Sequence, residues 1–86
     1  ELGQLADALA SYDRALALHR AYPAALYNRG IALMKLKRPL EALSAFQETL
    51  SLSPDSVDAL NNCGAAFDVL DRPEEALECY DRAIAI

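Results

Sequence analysis

The chain repeats itself with a period of 34 residues, and nothing else in it limits the fold as tightly. Under that shift Gly30 falls on Gly64, Leu26 on Leu60, and Pro39 on Pro73 within the related strings RPLEAL and RPEEAL. Ala8, Ala42 and Ala76 coincide, as do Tyr12, Phe46 and Tyr80. SYDRALAL at 11–18 and CYDRAIAI at 79–86, two periods apart, are nearly the same string. A register that never slips means that each copy forms one supersecondary unit, which buries its apolar side against the next copy.

Each period reads as two helices. Alanine and leucine dominate, β-branched residues are scarce, and apolar positions recur three and four residues apart. The first pattern runs from about Ala24 to Leu36, and again from Val57 to Leu70. The second starts at Pro39 or Pro73, where proline's missing N–H is not needed, and continues to about Leu52 or Ile86. An earlier copy of the second helix spans about Leu5 to Arg20, with breaks at AYP (21–23) and SPDS (53–56). The expectation is all-α: five antiparallel helices in one domain. It divides into a partial repeat at 1–22, a full one at 23–56 and a nearly full one at 57–86.

Gly30 and Gly64 stand inside helical patterns, where glycine costs roughly 0.5–1 kcal/mol relative to alanine. At about 100° per residue, Leu26, Arg29, Gly30, Leu33 and Leu36 share one side of their helix. Ala42, Leu43, Phe46 and Thr49 form the opposing stripe. The expectation is that Gly30 faces Ala42, so that two backbones approach closely while Phe46 fills the remaining space; Gly64, Ala76 and Tyr80 repeat the arrangement.

Charge excludes some functions. Residues 1–54 hold five acids and six bases, and residues 55–86 hold eight acids and two bases, giving −5 overall. Nucleic acid is not expected as a partner, because phosphate binding needs a basic stripe. No apolar stretch approaches the roughly 20 residues of a membrane span, so no membrane partner is expected, and a cytoplasmic setting is. Cys63 and Cys79 form no metal-ligand spacing with each other or with His19, the single histidine, and read as buried reduced thiols. No glycine-rich phosphate loop, H-E-x-x-H or nucleophile elbow occurs, so neither catalysis nor a cofactor is expected.

These residues resemble the tetratricopeptide repeat family, whose helix–turn–helix unit shows W-x-x-L-G-x-x-Y, then A-x-x-x-F, then P. Leu26, Arg29, Gly30 and Leu33 stand at the first motif in one copy, and Leu60, Cys63, Gly64 and Phe67 in the other. Ala42 with Phe46, Ala76 with Tyr80, and Ala8 with Tyr12 match the second, and Pro54 takes the closing proline's place. The resemblance implies a right-handed superhelix of helix pairs. It implies a concave groove lined by the first helix of each pair, and a scaffold that binds a peptide or protein segment.

The helical wheel reaches that surface independently. Opposite the packed side of the first helix lie Tyr27, Asn28, Ile31, Met34 and Lys35; the next copy places Asn61, Asn62, Ala65, Asp68 and Val69 there. Mixed amides, apolar groups and single charges suit peptide recognition. Asn28 and Asn62 can each offer a donor and an acceptor to a peptide backbone. In this they look similar to the asparagine ladder of O-linked N-acetylglucosamine transferase arrays; alternatively, both bond to neighbouring helices. Tyr27 and Met34 read either as ligand anchors or as fillers of the seam between repeats. The lysine and asparagine set that carboxylate-clamp co-chaperones use is not reproduced, since Tyr27, Asn61, Ile31 and Ala65 occupy its places. Arg29 should lay its stem over apolar surface, toward a partner that the sequence does not name. The apolar side of Leu5–Leu18 and the closing AIAI are expected to favour self-association. A substrate-recruiting array within a larger enzyme and a self-assembly module are the alternative functions.

Overall fold

The computed structural model describes residues 2–19 and 22–85. They form five α-helices: α1 (Leu2–Leu18), α2 (Pro23–Lys35), α3 (Pro39–Leu52), α4 (Val57–Val69) and α5 (Pro73–Ala85). All five expected helices are present. Pro23 opens α2 instead of lying in the preceding break, and Pro39 and Pro73 take the same first-turn position in α3 and α5. Arg20, Ala21 and Ile86, expected at helix ends or in a break, lie outside the described residues.

The two turns inside the repeats share one geometry. After α2 the Arg38 amide donates to Leu33 O at 2.8 Å and Lys37 donates to Met34 O at 3.0 Å. After α4, Arg72 donates to Phe67 O at 2.9 Å and Asp71 to Asp68 O at 3.1 Å. Both are Schellman closures, and their left-handed position is held by Lys37 (φ 61°) and Asp71 (φ 59°) rather than by glycine. Each following helix begins with an exposed arginine–glutamate pair three residues apart, Arg38–Glu41 and Arg72–Glu75. The Arg38 hydrogen bonds hold the Glu41 carboxyl below its ordinary range. Such exposed pairs contribute little to stability. Between repeats, Ser56 caps α4 by accepting from the Ala59 amide at 3.2 Å.

Consecutive helices pack side by side, and α2 also meets α4, whereas among the described residues α1, α3 and α5 do not meet one another. Inner helices that touch and outer helices that splay make a curved stack, with α2 and α4 on its concave side. The molecule measures 33 × 24 × 15 Å. Leu33, Ala42, Phe46, Cys63, Ala66 and Ala76 are buried in a core that runs continuously through α2–α5. No described residue of α1 is fully buried.

The aromatic rings expected beside the glycines sit directly over them. A Cβ on Gly30 would lie 2.5 Å from Phe46 Cε1, and one on Gly64 would lie 2.5 Å from Tyr80 Cε1. Each glycine is therefore the seat of an aromatic ring from the next helix, Phe46 over Gly30 and Tyr80 over Gly64. Phe46 is wholly buried, so its ring needs the volume that a side chain at position 30 would take.

Candidate binding groove

The concave surface is built from the outer sides of α2 and α4, and the expected residues divide there by depth. Asn28, Lys35, Asn61 and Asp68 are exposed; Tyr27, Ile31, Met34, Asn62 and Ala65 are half-buried. The helical wheel places these nine on one surface of α2 and α4. Tertiary packing then sorts them into an accessible rim and a floor.

Tyr27 and Asn62 make the floor. The Tyr27 ring packs 5.9 Å from the Phe46 ring centroid at a tilt of 54°, and its hydroxyl accepts a hydrogen bond from Asn62 Nδ2 at 3.0 Å. Asn62 Nδ2 also donates to the Asp58 carbonyl at 2.9 Å. Both amide hydrogens of Asn62 are thus engaged, and among the described residues only its carbonyl oxygen is left to accept. Among the described residues Asn28 makes no side-chain hydrogen bond, so it keeps donor and acceptor together. Two asparagines at one repeat position are therefore chemically unequal. The cause is Tyr27, whose counterpart one period later is Asn61.

Tyr80 was assigned only a packing role from sequence, yet it reaches the groove's edge. Its hydroxyl donates to Asp68 Oδ2 at 3.0 Å. Partial burial, then the Asp68 carboxylate, push the Tyr80 phenol above its ordinary range. The signal was present in the repeat: Phe46 becomes Tyr80 where Met34 becomes Asp68, a hydroxyl arriving together with its acceptor. The groove thus carries a cation at Lys35 and a carboxylate at Asp68 already paired with a phenol.

Arg29 finds its partner across the first seam. Its Nε donates to Asp13 Oδ1 at 2.7 Å, from the first YDRA string, joining α2 to α1. Among the described residues no three metal-ligating side chains converge, and no helix is long and apolar enough to cross a membrane.

A curved stack of paired helices with an open inner face defines a helical-repeat scaffold. The chain belongs to the tetratricopeptide repeat family, which matches it over residues 1–57 and again over 57–86. No curated protein sequence matches it. Among solved structures, the crystal structure of MamA is similar at 24% identity and a TM-score of 0.93, over 95% of this chain and 48% of that one. The first tetratricopeptide domain of Spaghetti (RPAP3), solved with the HSP90 peptide SRMEEVD, is similar at 26% identity and a TM-score of 0.93. That match covers 96% of this chain and 66% of the other. The second domain of the same protein, bound to the same peptide, gives 23% identity and a TM-score of 0.92, over 96% and 77%. The chain spans about half the length of the MamA chains that it matches.

Proposed function

We propose that this chain is a non-catalytic interaction scaffold, in three periods (1–22, 23–56 and 57–86), that holds an extended peptide segment along the α2–α4 face. The observation carrying the reading is the exposed rim of Asn28, Lys35, Asn61 and Asp68 over a floor closed by the Tyr27–Asn62 hydrogen bond. A prearranged floor lowers the ordering cost of binding. The similar RPAP3 domain, solved with a bound peptide, supports the same use of the fold.

Within this reading Asn28 pairs with one peptide unit through both its amide groups, while Asn62 contributes an acceptor only. That is a shorter version of the ladder in the O-linked N-acetylglucosamine transferase arrays. Ile31 and Ala65 supply apolar contact, and Lys35 favours an acidic or carboxyl-bearing residue at one end. Tyr27 and Met34 support the surface from below. Self-association through α1, where Leu2 is 67% and Leu18 80% exposed, belongs to the same proposal.

The test is selection of binders from a displayed random-peptide library, followed by substitution. Asn28→Ala is expected to weaken a selected peptide about 5- to 10-fold, in line with one lost bidentate contact of roughly 1–1.5 kcal/mol. Gln47→Ala, off the groove, should leave affinity unchanged. Equal affinity of wild type and a folded Asn28→Ala/Asn61→Ala protein would remove the groove from the mechanism.

A further inference from the structure

The repeat provides its own comparison at the two seams on the convex side. In the first, the stem of Arg29 lies between helices, 27% exposed, and its head meets Asp13. One period later Cys63 stands where Arg29 does, Gln47 replaces Asp13, Cys79 replaces Ala45, and Arg82 replaces Glu48. The shorter side chain leaves a cavity of about 200 Å³ between α3, α4 and α5, whose wall includes Leu50, Cys63, Phe67 and Cys79 and the charged Glu75, Glu78 and Arg82. Cys63 is 1% and Cys79 8% exposed. Both thiols are free, both line this cavity, and both belong to the same buried cluster.

A cationic side chain does not suit this space as Arg29 suits the first seam. Asp13 has become Gln47, and the wall already carries its own arginine, Arg82, together with Glu78 and the Arg72-paired Glu75. A metal ion would find only the two sulfurs, since no third ligand converges among the described residues. What remains is the chemistry of the thiols themselves. One buried thiol is an inert hydrophobe. Two that line one cavity large enough for a small oxidant differ, because the second sulfur can capture the oxidised first.

We propose that Cys63 and Cys79 form an oxidation site, at which a hydroperoxide joins α4 to α5 through an intrachain disulfide. Cys79, the more exposed sulfur, reacts first. Its thiolate attacks a peroxide oxygen, the O–O bond breaks, and the departing hydroxide takes up a proton to become water. The Cys63 sulfur then attacks the Cys79 sulfenic sulfur, the S–O bond breaks, and a second water leaves with the Cys63 proton. Two thiols and one hydrogen peroxide become one disulfide and two waters. Burial, which pushes Cys79 up and Cys63 up to about 12, makes the reaction slow; the Arg82 charge favours both thiolates, whereas the Glu78 and Glu75 carboxylates disfavour that of Cys79. The cross-link lies one residue from the Gly64–Tyr80 contact, so it would fix the hairpin that carries Asp68 and Tyr80. This site lies off the groove and does not depend on the peptide-binding reading.

The experiment treats the folded wild-type chain with hydrogen peroxide at mildly alkaline pH, blocks residual thiols with iodoacetamide, and maps peptides without reduction. The expected product is a monomer lighter by two hydrogens, free of alkylation, with the Cys63 and Cys79 peptides linked. Its melting temperature should rise on the order of 10 °C and return on reduction by dithiothreitol. Cys63→Ser should instead gather oxygen atoms on Cys79, because nothing resolves the sulfenic acid. Two alkylated thiols, oxygen added to wild-type sulfur without linkage, or cross-links formed only between chains would each overturn the proposal.

Discussion

Gly30→Ala sets helix propensity against ring packing. Alanine is intrinsically better in a helix interior by about 0.5–1 kcal/mol. Against this, the new Cβ would sit 2.5 Å from Phe46 Cε1 and 2.8 Å from both Cδ1 and Cζ. Ordinary contact begins near 3.4 Å, so the ring must retreat by roughly 1 Å. Phe46 has no exposed surface and Tyr27 packs on its ring, so it cannot swing into solvent. Overpacking of this kind costs about 1–3 kcal/mol. The expected net effect is a loss of about 1–2 kcal/mol, lowering the melting temperature by roughly 4–12 °C for a domain of this size. Gly64→Ala makes the same 2.5 Å approach to Tyr80, but that ring is half-buried and its hydroxyl bond to Asp68 is exposed. Its net effect should stay below about 1 kcal/mol. Urea denaturation of both variants, with Phe46→Leu as a partner to Gly30→Ala in a double-mutant cycle, measures the difference. A Gly30→Ala protein as stable as wild type, or one whose loss Phe46→Leu does not reduce, would refute the seat argument.

Three further outcomes follow from the geometry. Lys37→Gly and Asp71→Gly should each stabilise by about 0.5–1 kcal/mol in denaturant titration, since both side chains sit at positive φ; destabilisation by both would contradict the closures described. Tyr27→Phe removes an acceptor from Asn62 Nδ2 and should cost about 0.5–1.5 kcal/mol in the same assay, with an unchanged midpoint counting against the floor bond. Cys63 is raised from an ordinary 9.0 to about 12, so its contribution is intact below pH 9 and is lost as pH rises toward 12. Wild type should therefore lose stability across that window relative to Cys63→Ala, and parallel alkaline melting curves for the two would contradict it.

Helix number, order and type were legible because the period, the proline starts and the apolar spacing all depend on neighbouring residues alone. The direction in which each side chain leaves its helix follows for the same reason, since helical geometry carries position directly into direction. Partners across helices were not legible. Asp13 for Arg29, Tyr27 for Asn62, and the Phe46 ring for Gly30 each depend on how far two helices slide along each other, and side-chain volume sets that distance only after packing.

The sequence by itself therefore determined a duplicated helical hairpin and the direction in which each side chain leaves its helix, through backbone periodicity and glycine, proline and alanine placed at constant intervals. The tertiary structure alone decided which of two equivalent asparagines keeps a free amide, and which of two equivalent seams is filled by an ion pair or left hollow beside two thiols. The physical reason is that a hydrogen bond or a cavity depends on two elements at once, and one changed neighbour, such as Asn61 for Tyr27 or Cys63 for Arg29, gives the same local sequence a different environment.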